Sequence, residues 1–403
     1  KNRSELSIIF LLTFIHFIHL VDFVVIMPLG PTLMDDLSIT PGEFASLVSA
    51  YNFAGAITGL IISIFADKFE KKSLLSLSLI GLSFGTVLCG VVTDAKLLIF
   101  ARIVAGLFGG ALNPIIFALV AEWIPFNRRG KAMAWVMSGF SLASVIGVPI
   151  GLVISDSYGY RMTFYALSMA IFLSSIACFF LLPRASIPSK EMSLKQLTRA
   201  LGRSFSNKYY VQVFIYTFII SGTMFLLIPM LAPYAVKNMD IKTTDLKYMY
   251  LFGGILTVIT ARIFGIFTDR FGAIKTYAII CFASVFPIYF YTHSGPVQFY
   301  QYILIGAVFM SLISGRMIPA MTLASEVPSK RQRGQFMGIL NSVRTCATAI
   351  GSLIVGFIVV EDASGKLINF DHIGKTAIVV SLVSIVFTFL IFSNDSKKSE
   401  SKE

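Results

Sequence analysis

The chain has 403 residues, of which 56% are hydrophobic and only 13% are charged, and its mean hydropathy is +0.80. Soluble proteins carry about 25% charged residues, so the composition argues against a water-soluble globular protein and indicates a lipid bilayer as the solvent. The net charge of +12 does not indicate nucleic-acid binding, because the basic residues are scattered among loops and form no continuous tract.

Twelve apolar runs are long enough to cross a bilayer, and they must do so as helices because backbone groups in lipid bond within their own segment. The first run, from Leu6 to Pro31, is too long for a signal peptide. The predicted spans are 7–30, 44–65, 73–93, 96–121, 132–154, 160–182, 209–233, 247–267, 275–292, 297–324, 335–358 and 374–393.

The distribution of Lys and Arg predicts the orientation of these spans. If the chain begins in the cytoplasm, the inner segments hold 22 Lys and Arg residues and the outer loops hold seven. The remaining four lie within spans: Arg102, Arg262, Arg316 and Arg344. Because cytoplasmic loops carry the excess of positive charge, we expect both termini to be cytoplasmic.

The chain repeats itself in two halves. The loop after span 2 reads SIFADKFEKK (63–72), and the loop after span 8 reads GIFTDRFGAIK (265–275). Each places an acid and a base at the same point of the turn: Asp67-Lys68 and Asp269-Arg270.

A second pair of loops carries the same repeat. Arg129 follows Glu122 by seven positions after span 4, and Arg333 follows Glu326 by seven positions after span 10. Duplicated signatures at corresponding loops are typical of a two-half transporter. We therefore predict an all-α membrane protein with two six-helix bundles, residues 1–183 and 209–403, joined by a cytoplasmic linker, 184–208.

These repeated loops carry a family likeness. The chain resembles the major facilitator superfamily over nearly its whole length, and most of all its twelve-span drug:proton antiporters. The second-half loop keeps four residues of the family's GxxxDRxGRR motif, Gly265, Asp269, Arg270 and Gly272, while Ser63, Lys68 and Glu70 depart from it in the first half.

Three further segments are similar to the family's patterns. Span 4 reads ARIVAGLFGG (101–110), with Arg102 as the motif arginine. Span 5 reads SGFSLASVIGVPIG (138–151), similar to the antiporter pattern GxxxGPxxGG, with Gly147-Val148-Pro149 where Gly-Pro is expected. SYGYRMTF (157–164) resembles the GWRxxF entry to span 6.

Asp22 is the one acidic residue placed deep in a predicted span. A charge there costs at least about 2.5–3.5 kcal/mol unless it is paired or hydrated, and Arg102 enters span 4 to a comparable depth. We expect an Asp22–Arg102 pair, which is either a proton-coupling acid with its partner or a purely structural ion pair. His16 and His19 share the Asp22 side of the helix, so a proton relay, a metal site and plain packing all remain open.

Arg316 and Arg344 are predicted to lie near the midplane, without an acid of the second half at that depth. We expect them to converge on an anionic ligand, with Asn341 one turn from Arg344, because arginine matches carboxylate or phosphate bidentately; bonding to backbone carbonyls is the alternative. Asn52 and Asn113 are further polar points that either contact substrate or bond between helices.

The loop charges are expected to gate the two halves. The family resemblance implies that Asp67 pairs with Arg333, and Asp269 with Arg129, when the transporter faces outward. Lys68, Arg270, Glu122 and Glu326 belong to the same loops. Solvated charges that merely set topology are the alternative.

Taken together, the residues and the resemblance predict a secondary exporter of a small molecule, by proton antiport, in a bacterial inner membrane. An importer or facilitator of a small anion or sugar is the alternative. No Walker loop GxxxxGK[ST], His-Glu-x-x-His or Gly-x-Ser-x-Gly pattern occurs, so we expect neither ATP coupling nor an enzyme. The expected partners are substrate, protons and membrane lipid, with no cofactor, metal or nucleic acid, and the expected state is a monomer.

Overall fold

A computed structural model of the chain describes residues 2–65, 69–183, 202, 204–329 and 332–399. In this part of the chain, twelve helices are long and apolar enough to cross a membrane, which confirms the predicted all-α membrane fold. The first six crossings comprise α1 (Asn2–Val25), α2 (Gly30–Asp36), α3 (Pro41–Phe65), α4 (Lys71–Val91), α5 (Ala95–Trp123), α6 (Phe126–Leu142), α7 (Val148–Tyr158) and α8 (Tyr160–Leu181).

The second six crossings begin after the linker, most of which lies outside the described residues. They comprise α9 (Lys208–Leu227), α10 (Leu231–Asn238), α11 (Leu246–Phe271), α12 (Ala273–His293), α13 (Phe299–Gly315), α14 (Met317–Glu326), α15 (Arg333–Ile358) and α16 (Phe370–Ser399). A two-stranded antiparallel hairpin, β1 (Val360–Glu361) and β2 (Leu367–Ile368), joins α15 to α16.

Several predicted spans are interrupted where proline removes a backbone donor. Predicted span 1 does not run unbroken to residue 30, because α1 ends at Val25 and the chain turns around Pro28 before α2. Span 5 widens into one π turn, Ala143–Gly147, just before Pro149. Span 10 breaks at Arg316, and Pro319, four residues after Gly315, has no N–H to bond the Gly315 carbonyl.

Helix packing follows the two halves. In the first half α5 packs against α3 and α4, α4 packs against α8, and α1 packs against α6. In the second half α9 packs against α15 and α16, α11 against α13, and α12 against α16. The halves meet where α3 packs against α15 and α7 against α11.

The two sides of the membrane differ in how the halves meet. Because the crossings are even in number, the start of α1 and the end of α16 lie on one side, which we call the terminal face. The opposite face carries α2, α10 and the β1–β2 hairpin. Near the opposite face one apolar core includes buried residues of both halves, among them Leu33, Phe44, Leu231 and Val355.

Towards the terminal face the buried core divides. One cluster of buried residues belongs to the first half, for example Leu12, Leu79 and Leu119. A separate cluster of buried residues belongs to the second half, for example Phe214 and Phe336. The halves are therefore fused by apolar packing at the opposite face and only partly joined at the terminal face.

Glycines allow α3 and α5 to touch through their backbones. A Cβ atom on Gly106 would lie 2.3 Å from the Tyr51 carbonyl oxygen, and one on Gly110 would lie 2.3 Å from that of Gly55. Such distances are far shorter than van der Waals contact, so only glycine permits this spacing. The close approach of the two backbones sets the position of Tyr51.

Replacing Gly106 with alanine should force α3 and α5 apart and lower the free energy of unfolding by about 1–3 kcal/mol, the usual cost of overpacking. Thermal unfolding of the purified protein in detergent measures the effect. Gly265→Ala is the matched control, because nothing lies within 4 Å of a Cβ atom there. Equal melting temperatures for the two variants would contradict the close packing.

Candidate functional site

Asp22 and Arg102 lie together inside the first bundle, and both side chains are completely buried. Arg102 Nη1 is 3.9 Å from Asp22 Oδ2, and Thr86 donates a 2.8 Å hydrogen bond to Asp22 Oδ1. The arginine–carboxylate distance exceeds that of a direct charged hydrogen bond, about 2.7–2.9 Å. The pair is therefore an electrostatic contact held by the fold, and among the described residues Thr86 is the hydrogen-bond donor to the carboxylate.

Arg102 is stabilised by an aromatic face as well as by the acid. Its Cζ lies 4.2 Å from the centre of the Tyr51 ring, which is cation–π geometry. None of its three nitrogens has a hydrogen-bond partner among the described residues. Tyr51 and Thr86 were not predicted from the sequence, because a hydroxyl in an apolar run is ordinary and only helix rotation shows where it lies.

His19 and His16 extend this cluster along α1. The Tyr51 hydroxyl is 3.4 Å from His19 Nδ1. The His16 ring lies beside the Asn113 side chain and 5.9 Å from the Phe117 ring centre. Both histidines are buried. Titratable or hydroxyl groups thus line α1 from Asp22 towards the terminal face, while the described residues contain no group of three or more potential metal ligands.

A polar stripe on α15 carries Arg344. Its members Asn341, Arg344, Thr345 and Thr348 follow the i, i+3, i+4, i+7 spacing of one helix face. Arg344 Nη2 donates a 2.9 Å hydrogen bond to Asn341 Oδ1. Arg344 is about 16 Å from the start of α15 at 1.5 Å per residue and is partly exposed.

The other sides of α15 show where this stripe points. Gly338 approaches Ser63 of α3, and Gly351 meets the backbone of Gly222 in α9. Phe357, 81% exposed, and Ile354 lie on the outer side, roughly opposite the stripe at 100° per residue. The stripe therefore faces the space between the two halves.

Asn52 and Arg316 each form a hydrogen bond inside their own half of the protein. Asn52 is buried and donates to the Val48 carbonyl of its own helix at 3.0 Å. Arg316 is 1% exposed and donates to Ser381 of α16 at 2.9 Å. The expected convergence of Arg316 with Arg344 is therefore not seen, because Arg316 bonds Ser381 inside the second bundle while Arg344 bonds Asn341 of its own helix.

The predicted gating residues have varied surroundings. Lys71 pairs with Glu122 at 3.2 Å, and Arg129 donates to the Ala121 carbonyl. Four others are exposed: Asp269, Arg270, Glu326 and Arg333. Asp67 and Lys68 lie outside the described residues. An Asp269–Arg129 ion pair is not formed among the described residues, and the Asp67–Arg333 pairing involves a residue outside them, so both latch pairings stay predictions.

Ion pairs join the two halves at the opposite face. Asp156 of α7 is 3.1 Å from Lys247 of α11. Lys237 of α10 is 4.0 Å from Asp35 of α2 and 2.6 Å from Glu361 of the hairpin. Together with the common apolar core, these contacts close the opposite face.

Comparison with known proteins identifies the family. The profile of the Major Facilitator Superfamily matches residues 12–286 and 213–403, so the chain belongs to this superfamily of membrane transporters and is not an enzyme. Two solved structures share its fold. The nucleoside transporter NupG, in a mutant form, has a TM-score of 0.77 at 14% identity over 96% of this chain and all of that one. A bacterial homologue of the human lysosomal transporter Spinster, inward-facing and occupied, has a TM-score of 0.75 at 13% identity over 97% of each chain.

Curated relatives confirm the resemblance to the drug:proton antiporters. Multidrug resistance protein MdtG of Proteus mirabilis is 25% identical over 99% of both chains. Multidrug resistance protein 2 of Bacillus subtilis is 22% identical over 89% of this chain and 90% of its own length. The proton-coupled antiporter flippase LtaA of Staphylococcus saprophyticus is 23% identical over 88% of this chain and 86% of its own.

Removing one member of the Asp22–Arg102 pair should cost more than removing both. Arg102→Gln leaves the carboxylate buried without a counter-charge, and such changes destabilise proteins by about 3–5 kcal/mol. The double variant Asp22→Asn/Arg102→Gln removes both charges and should recover much of the loss. Thermal unfolding in detergent of the parent, the two single variants and the double variant measures these losses of stability. If the loss in the double variant equals the sum of the two single losses, the two groups do not interact.

Proposed function

We propose that the protein is a proton-coupled exporter of a small molecule and that Asp22 is its coupling acid. The observation that carries this proposal is that Asp22 is the only buried Asp or Glu among the described residues. A charged group inside a membrane bundle marks a functional site by default. The names of the relatives, which include multidrug resistance proteins and a proton-coupled antiporter, support export by proton antiport.

The surroundings of the pair suit repeated protonation. When Asp22 is ionised, it compensates the charge of Arg102 across 3.9 Å. When Asp22 takes up a proton, Arg102 loses that compensation but keeps the face of Tyr51. The 3.9 Å separation of the pair and the Tyr51 ring together lower the free-energy cost of protonating Asp22, because Arg102 is not stabilised by the carboxylate alone.

The division of the cores supports alternating access between the halves. The halves share one apolar core at the opposite face and have separate cores towards the terminal face. Such an arrangement suits a cavity that opens to the terminal face. The Lys and Arg excess supports a cytoplasmic position for that face, so substrate would enter from the cytoplasm of a bacterial cell and leave when the opposite face opens.

The polar stripe of α15 supports an anionic or zwitterionic substrate. Arg344 faces the space between the halves, and Asn341 holds one of its nitrogens at 2.9 Å. Buried acids that could attract a cation are absent from the second half within the described residues. Arginine binds carboxylate or phosphate through two parallel hydrogen bonds, so a ligand with such a group fits the stripe.

Asp22→Asn should abolish uphill efflux driven by a proton gradient, because the amide cannot carry the proton. Counterflow exchange, which needs no net proton movement, should survive. Transport into inverted proteoliposomes with an imposed pH gradient measures both activities.

Asp371→Asn provides the matched control, because this acid lies in the first turn of α16 and pairs only with neighbours such as Lys375. It should pump like the parent. Parental uphill transport by Asp22→Asn would remove Asp22 from coupling and favour a facilitator.

Arg344→Ala should weaken binding of an anionic ligand by about 1.5–3 kcal/mol, the range for hydrogen bonds to charged groups. Arg344→Lys keeps the charge but loses the planar fork, so it should recover only part of the affinity. Ligand binding to the purified protein, measured beside a neutral analogue, tests this. Equal losses for charged and neutral ligands would show that Arg344 shapes the cavity without recognising charge.

A further inference from the structure

Arg316 is a buried cation that lacks a buried counter-charge. It is 1% exposed and lies about 15 Å from the end of α14 at 1.5 Å per residue. Every Asp and Glu of the second half whose side chain is described lies in a loop or at a helix end. The buried arginine of the first half, Arg102, in contrast has Asp22 beside it.

The groups around Arg316 are neutral and mostly hydroxyl-bearing. Ser381 accepts a 2.9 Å hydrogen bond from Arg316, and the Cys281 thiol lies close enough to accept a second, weaker one. Tyr216 and Tyr277 lie within electrostatic range. The Tyr277 hydroxyl is already bonded to Ser384 at 2.7 Å. Ser381, Ser384 and the two tyrosines are all buried.

Several hydrogen-bond donors in this cluster have no acceptor. Arg316 Nε and Nη2 have no hydrogen-bond partner among the described residues, and the buried Tyr216 hydroxyl lies near Thr388 and Tyr277 without forming a hydrogen bond of normal geometry there. Buried donors in proteins are almost always satisfied, and leaving a charged one bare costs far more than leaving a neutral one. An acceptor supplied from outside the chain would satisfy the donors, and a negative one would also balance the charge.

We propose that Arg316 and Tyr216 bind a small monovalent inorganic anion, such as chloride, inside the second bundle. A lipid phosphate does not fit, because Arg316 lies too deep to reach a headgroup. The transported substrate does not fit either, because the surrounding core of the second bundle seals the side chain from the space between the halves. The site is independent of the proposed proton coupling, since Asp22 and the anion lie in different halves.

Replacing gluconate with bromide at constant ionic strength should raise the melting temperature of the purified parent protein. At a bromide concentration about ten times the dissociation constant, the rise should be roughly 1–2 °C for a chain of this length. Arg316→Gln should abolish the response. Arg262→Gln, which alters an exposed arginine within α11, should respond like the parent.

If Arg316→Gln does not fold, Tyr216→Phe and Ser381→Ala test the anion site in its place. Each should shift the midpoint of the bromide titration several-fold higher. Crystals grown in bromide should show anomalous density within hydrogen-bonding distance of Arg316. An unchanged melting temperature in the parent, or equal responses in the parent and the Arg316 and Tyr216 variants, would overturn the anion site and leave water as the acceptor. The proposed proton coupling is tested separately, by uphill transport in the Asp22→Asn variant.

Discussion

The cost of placing charge inside an apolar bundle governs the functional part of this molecule. Lys71, Arg102 and Arg316 are the buried cations among the described residues, and Asp22 is the buried acid. Lys71 has Glu122 and Arg102 has Asp22. Each uncompensated buried charge would destabilise the fold by several kcal/mol. The packing of the helices therefore has to bring an oppositely charged side chain close to Lys71 and to Arg102.

Backbone contact between helices is what brings the buried cluster together. Gly106 and Gly110 let α5 approach α3 so closely that Tyr51 reaches the guanidinium of Arg102. Gly109 leaves room for the Tyr51 hydroxyl, which a Cβ atom would meet at 2.4 Å. The glycine pattern of span 4, which the sequence suggests only as a packing face, therefore also determines the electrostatic surroundings of the arginine in the same span.

The sequence predicted the fold and part of the site, and helix rotation explains the difference. Twelve spans follow from apolar length alone, and the Asp22–Arg102 proximity follows from comparable depth in neighbouring spans. Depth did not predict that Arg316 bonds Ser381 of α16 inside the second bundle rather than meeting Arg344. A Cβ atom on Gly315 would meet the Phe264 ring at 2.3 Å, a contact between α11 and α13 that no local pattern reveals. Thr86 and Tyr51 were not predicted either, because the sequence does not show which way each helix is rotated.

A protonation at Asp22 matters for transport only if it changes the relative free energies of two arrangements of the halves. The structure contains a short chain of contacts that can do so. The Tyr51 ring lies 4.2 Å from Arg102 and 5.5 Å from the ring of Phe23, the residue after Asp22. Phe23 in turn stacks at 6.1 Å on Phe225 of α9 in the second half. These contacts connect the ion pair of the first bundle to aromatic packing between the two bundles.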